Sequence, residues 1–118
     1  MMRPAGEMTV YLHRLPVDFR KAINGLSLIV QEELKLDPYS ESLFVFANKA
    51  RNRIKLLYWE RNGFCLWHKR LEKNKFAWPI NHDADKVELN IQELNWLLDG
   101  FDIWRAPPHQ QLFYESAG

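Results

Sequence analysis

One cysteine, Cys65, is all the chain contains. It permits no internal disulfide and no cysteine-based zinc site, and a lone thiol fits a reducing compartment. Long apolar runs are missing as well. The longest stretch without Asp, Glu, Lys or Arg covers residues 22 to 31, whereas about 20 predominantly apolar residues are needed to span a bilayer. Only six uncharged residues separate Glu7 from Arg14, fewer than the apolar core of about 7 to 15 in a secretory signal. A cytoplasmic protein with no membrane partner is therefore expected. Charge of one sign is also lacking: 16 Lys and Arg stand against 15 Asp and Glu, for a net +1 at pH 7. Taken as a total, that predicts no anionic partner.

Catalytic patterns are absent too. The chain has no Gly-x-Ser-x-Gly elbow, no glycine-rich phosphate loop and no His-Glu-x-x-His pair, so the chemistries those motifs carry are not indicated. His13, His68, His82 and His109 are scattered singly. His82, Asp83 and Asp85 put three metal-capable side chains in one short stretch, but such groupings are common in solvated turns. Cys65 falls mid-strand on an apolar face, where a thiol behaves as a small hydrophobe. No enzyme, metal or cofactor is expected.

What is present suits one folded unit. Against about 150 residues per domain, 118 residues make a single domain, and 47% hydrophobic with 14% aromatic residues supply a core. The domain is expected over residues 8–105, with 106–118 as an extended or mobile tail. Residues 8–13 read as a strand ended by Pro16. A helix follows, with Asp18 as its cap and Phe19, Ala22, Ile23, Leu26, Val30 and Leu34 as its apolar stripe. Asn24-Gly25 inside that run costs about 1 kcal/mol relative to alanine, so either the helix tolerates the pair or it starts later. Pro38 ends the segment. Leu43 to Ala47 is uniformly apolar, as befits a central strand buried on both faces.

Ile54–Glu60 and Phe64–Leu71 form a hairpin. With Asn62-Gly63 as a type I′ turn, Lys55 would oppose Arg70, Leu57 would oppose His68, and Trp59 would oppose Leu66. The face carrying Ile54, Leu56, Tyr58, Cys65, Trp67 and Leu71 is the more apolar and the expected core side. Val87 to Leu89 is too short to place. Asn90 and Glu93 have the capping-box spacing, with Leu89 and Leu94 as a staple, so a helix is expected from 91 to 99 with Gly100 as its stop. The fold class is α+β: an antiparallel meander of about four strands, an N-terminal amphipathic helix on one face, and a short C-terminal helix packed at the side or end. Of the five tryptophans, most are expected in the core, with Trp59 and Trp78 the ones left exposed.

The near-neutral total hides a strong division. Residues 1–48 carry five basic and six acidic groups, residues 49–75 carry nine and two, and residues 76–118 carry two and seven. The nine are Lys49, Arg51, Arg53, Lys55, Arg61, Lys69, Arg70, Lys73 and Lys75. Interleaved with Tyr58, Trp59, Phe64 and Trp67, they suit a nucleic-acid surface, since cations bind phosphates with counterion release and aromatic faces stack on bases. Two other readings compete: a solvated sheet edge whose lysines block aggregation, and a surface for an acidic protein.

The ordered string Asp18-Phe19-Arg20-Lys21-Ala22-Ile23-Asn24-Gly25-Leu26, then Asp37-Pro38-Tyr39-Ser40, Leu43-Phe44-Val45-Phe46-Ala47-Asn48, Arg53 to Glu60, Asn62-Gly63-Phe64, Lys69-Arg70-Leu71-Glu72 and Phe76-Ala77-Trp78-Pro79 closely resembles the small accessory protein of IS-sixty-six-type bacterial insertion sequences, the TnpB or second-open-reading-frame family. The likeness runs from about Met8 to Ile103. Phe19, Ala22 and Asn24 stand where the family more often has Met, Gly and Asp. The resemblance implies a role in DNA transposition beside a separate, larger transposase that does the cutting and joining. It supplies no catalytic residues. The expected function is a non-catalytic accessory that binds DNA, the transposon ends in particular, through phosphate contacts of low sequence specificity, with Arg53, Lys55 and Arg70 at the centre. Such a protein would be associated with the nucleoid when DNA-bound. The alternative is an adaptor that binds the transposase or self-associates into a homo-oligomer, the basic strip of one copy meeting the acidic residues 76–118 of another.

Overall fold

A computed structural model describes residues 7–79 and 84–104 of the chain. Among the described residues, five strands and two helices follow in the order β1 (Thr9–His13), α1 (Ile23–Glu32), β2 (Ser42–Ala47), β3 (Arg53–Glu60), β4 (Gly63–Arg70), β5 (Lys86–Leu89) and α2 (Ile91–Leu98). The five strands form one sheet in the order β4-β3-β2-β1-β5. The class is α+β, as the sequence indicates, but the sheet is mixed and not a simple meander. β1 lies parallel to β2, with Val10 beside Leu43 and Leu12 beside Val45. α1 is the connection between them, as parallel neighbours require a crossover. The run Val87–Leu89 belongs to a real strand, which pairs antiparallel with β1 and closes that edge.

β2 is buried at all six positions, and its alternation divides the interior in two. Leu43, Val45 and Ala47 join Val10, Leu12, Ile54, Leu56 and α2's Leu94, Leu97 and Leu98 on one face. Phe44 and Phe46 meet α1's Leu26, Ile29 and Val30 on the other, with Leu57. Each large side chain so buried contributes about 1.5–3 kcal/mol. The sheet is therefore covered on both sides. α2 takes a whole face of its own and not the side or end. Phe76 and Trp78 pack beside it, and Trp78, only 7% exposed, donates its indole N–H to the Arg14 carbonyl at 2.8 Å. Trp78 is thus a core residue, contrary to expectation, whereas Trp96 is the tryptophan left 39% exposed. Trp59 is half-buried.

α2 begins as its sequence dictates: the Asn90 side chain accepts from the Glu93 N–H at 2.7 Å, while the Glu93 carboxylate accepts from the Asn90 N–H at 2.9 Å. Gly100, at φ +96°, ends it. α1 begins otherwise. Its first flanking residue, Ala22, provides no side-chain cap. Asp18 lies a turn too early and binds the Arg20 N–H at 2.9 Å and the Arg20 guanidinium at 2.6 Å. Gly25 sits inside the helix because the stem of Lys21 folds over it; a Cβ there would meet Lys21 Cβ and Cγ at 3.1 Å. The helix ends before Pro38, through Lys35 at φ 59°. His13, 2% exposed, ties this end of α1 to β1, with Nδ1 at 2.7 Å from the Leu15 carbonyl and Nε2 at 2.8 Å from the Glu33 carboxylate.

The hairpin forms with a different turn. Glu60 pairs with Gly63, so Arg61 and Asn62 are the two loop residues, and Arg61 takes φ 56°. Gly63 enters the strand. Relative to the expected register every partner moves by two positions: Trp59 opposes Phe64, Leu57 opposes Leu66, Lys55 opposes His68, and Arg53 opposes Arg70. A shift of two preserves which face each side chain occupies, so the face assignments survive although the pairs do not.

Candidate nucleic-acid interface

The loop between β2 and β3 organises one end of the sheet. Asn48 Oδ1 accepts from the backbone N–H groups of Asn52 and Arg53, both at 3.1 Å, and its amide nitrogen donates to Asn52 Oδ1 at 2.8 Å. Arg51 adopts φ 60° to make this tight reversal. The same loop captures the chain after β4: the Leu71 N–H donates to the Asn52 carbonyl at 2.8 Å, and the Phe76 N–H to the Arg51 carbonyl at 2.7 Å. Local hydrogen bonding thereby gathers Lys49, Arg51, Arg53, Arg70, Lys73 and Lys75 at one end of the molecule. Arg53 and Arg70 are directly opposed. Like charges in that position repel, and among the described residues no carboxylate pairs with Arg53. Arg70 is held by Glu72 at 3.0 Å, in a solvent-exposed pair of small energetic worth.

Three of the nine sequence candidates lie apart. Arg61 is in the hairpin turn at the opposite end of β3, eight residues or roughly 26 Å away. Lys69 donates to the Leu98 carbonyl at 2.8 Å and so caps α2 from the other face of the sheet. Lys55 is 8% exposed. Its Nζ donates to the carbonyls of Phe19 at 3.0 Å and Lys21 at 2.9 Å and lies 4.7 Å from the centre of the Phe19 ring. Burial, with Arg53 adding repulsion, holds its pKa below the usual lysine value. Lys55 is thus a structural clamp on the segment leading into α1.

That clamp brings in residues outside the expected set. The Lys21 carbonyl is fixed beside β3 while its side-chain stem lies over Gly25, and the Phe19 ring meets the His68 imidazole edge-on at 5.7 Å. His68, Arg53 and Arg70 line a shallow recess of about 310 Å³. Burial first, then the charges of Lys55, Arg53 and Arg70, lower the His68 pKa from its ordinary 6.5. The place of His68 was readable in the strand alternation, since it shares a face with Arg70. Lys21 was not readable, because a tertiary hydrogen bond puts it there.

At the far end of the hairpin, the rings of Tyr39, Trp59 and Phe64 meet at 5.0 to 5.2 Å between centroids, with Tyr39 58% exposed. Of the three metal-capable residues singled out in the sequence, His82 and Asp83 lie outside the described residues; among those described no group of three His, Cys, Asp or Glu could hold an ion. Residues 106–118 also lie outside them. Cys65 is half-buried, with Sγ 3.4 Å from Glu60 Oε1. No described helix is long and apolar enough to cross a membrane.

These features define a small α+β domain with a cation-rich end. The chain belongs to the family described as IS66 Orf2 like protein, whose model matches residues 8–108. That makes it an insertion-sequence accessory protein, of a family not known to be catalytic. It is 35% identical to the uncharacterized protein y4hO of Sinorhizobium fredii over 107 residues, covering 90% of this chain and 91% of that one. It is 34% identical to the uncharacterized protein y4jC of the same organism over 106 residues, covering 90% of each. No solved structure matches the chain.

Proposed function

We propose that this accessory protein binds DNA during transposition through the end of the sheet formed by Lys49, Arg51, Arg53, Arg70, Lys73 and Lys75, with Lys21 alongside. Support comes from one observation above all: the carbonyls of Asn52 and Arg51 accept from the Leu71 and Phe76 N–H groups, which ties the β2–β3 loop to the chain after β4 and sets their basic residues at the same end of the sheet. Contacts of this kind address phosphates, fixing position without reading bases, so sequence choice falls to the transposase that works beside it. A mobility-shift titration on duplex transposon-end DNA tests the reading. Affinity should fall steeply with salt, and each phosphate contact removed should lower the slope of log affinity against log salt by about 0.9. Absent or salt-independent binding overturns it.

A second reading, an adaptor for protein, is favoured by the aromatic end. Tyr39, Trp59 and Phe64 present ring surface beside β4, an edge strand whose sequence from Gly63 to His68 carries no acidic, Lys or Arg side chain. Such an edge is a ready template for another chain. Co-purification with the transposase that is lost on Tyr39→Ala, with DNA binding intact, would establish it.

A further inference from the structure

The register of the hairpin sets four basic side chains at the corners of a square on the α1 face: Arg53 opposite Arg70, and Lys55 opposite His68. Nothing in strand pairing requires this, and like-charged neighbours at this distance weaken the sheet. The four are not equivalent. Lys55 has its ammonium engaged by the carbonyls of Phe19 and Lys21, so it clamps the segment entering α1 and does not line the recess. Arg53, His68 and Arg70 border an open recess of about 310 Å³, large enough for a tetrahedral oxyanion. Guanidinium groups are suited to grip such an anion two N–H groups at a time.

We propose that this recess is the seat of a single phosphate group, either free or part of a nucleic-acid backbone, held by Arg53 and Arg70 with the His68 imidazole as a further donor. The proposal rests on the phosphate-binding reading above and narrows it to one subsite. An anion in the seat removes the repulsion between the opposed arginines and favours the protonated imidazole. The charged groups around His68 are Arg53 and Lys55 from β3 and Arg70 from β4, the last shared with Glu72. From the segment entering α1 it meets the uncharged Phe19 ring, while Asp18 and Arg20 there neutralise each other. Binding should therefore strengthen as pH falls and His68 gains its proton.

Sulfate is the appropriate first probe, because unlike inorganic phosphate it does not titrate in the same range as the imidazole. Proton–nitrogen NMR on the full chain should show saturable shifts of the Arg53 and Arg70 Nε–H and the His68 ring with sulfate or inorganic phosphate, absent in chloride at equal ionic strength. Arg53→Gln with Arg70→Gln should weaken sulfate about tenfold or more, whereas Arg61→Gln at the other end leaves it unchanged. Between about pH 7.5 and about pH 5.5 the wild-type affinity should rise about threefold or more, and His68→Gln should be flat. Shifts that appear equally in chloride, survive the double substitution or ignore pH overturn the seat. Duplex DNA that displaces sulfate from these signals identifies a backbone phosphate as the ligand. Sulfate binding with no duplex binding at low salt keeps the seat, assigns it to free phosphate and overturns the DNA reading. Duplex binding that leaves these three signals unmoved keeps the DNA reading and overturns the seat.

Discussion

The two ends of the β3–β4 hairpin are built from the same two strands and the same α1-facing side, yet they are composed oppositely. Toward the turn, Trp59 faces Phe64 with ring centroids 5.0 Å apart, and Tyr39 closes over both. Toward the β2–β3 loop, Arg53 faces Arg70. One end gains from its cross-strand pair; the other is weakened by it. In the middle, Leu57 and Leu66 join the α1-side core. Opposed guanidiniums cost a sheet stability, so the contrast separates a region held by its own cross-strand pair from one that, on the proposed reading, would be relieved by an external anion.

Lys55 is where that division is tested hardest. By sequence it belongs to the basic strip; by its hydrogen bonds it belongs to the fold. Lys55→Met keeps the aliphatic stem and removes the ammonium, leaving the Phe19 and Lys21 carbonyls without their donor. A loss of about 2 kcal/mol in urea unfolding is expected, and salt dependence of DNA binding in the folded variant should be nearly unchanged. A variant of full stability with weakened DNA binding would move Lys55 back into the interface. The aromatic end should show the next largest effect: a double-mutant cycle on Trp59→Ala and Phe64→Ala should give a coupling of about 1 kcal/mol, with no change in DNA affinity. The arginine end should behave with opposite sign. Arg53→Gln relieves the repulsion and should stabilise the protein by about 0.5 kcal/mol at low salt, the gain fading as salt rises, while the same change weakens DNA binding. Destabilisation instead would show that Arg53 has a structural partner.

Much of this architecture was visible in local pattern. The uniformly apolar Leu43–Ala47 could only be a central strand, and the Asn90–Glu93 box announced α2 because both of its hydrogen bonds are local. What local pattern does not contain is long-range choice. Parallel pairing of β1 with β2 follows from how α1 packs on Phe44 and Phe46, and the short β5 takes its one strand partner, β1, and its core contacts from residues far away in sequence. The hairpin register slipped because Arg61 accepts a left-handed backbone that Asn-Gly would have taken more cheaply. For the site, nine cations in one stretch of sequence resolve into a group at one end of the sheet, an outlier at the turn, and two structural lysines. A carbonyl that needs a donor leaves no mark in the sequence, so Lys55 and Lys69 look there like any other surface lysine.

The smallest expected effect concerns Asp18, in the segment that Lys55 clamps beside the basic end. Hydrogen bonds from the Arg20 side chain and backbone hold the Asp18 carboxyl down to about 2, from an ordinary 3.8. A carboxyl whose pKa is depressed by folding stabilises the native state fully above its unfolded value, and that contribution disappears as pH falls through the folded value. Wild type and Asp18→Asn should therefore differ by a constant, small amount above about pH 4, converging as pH drops toward 2. Because both partners are solvent-exposed, the difference should shrink further in salt. The amide that replaces the carboxylate retains an acceptor for the Arg20 N–H but frees the guanidinium, so the same substitution should raise anion affinity slightly at neutral pH. A variant with weaker anion binding would mean that Asp18 positions the segment clamped by Lys55, and that the basic end depends on this carboxylate for its shape and not merely for its charge.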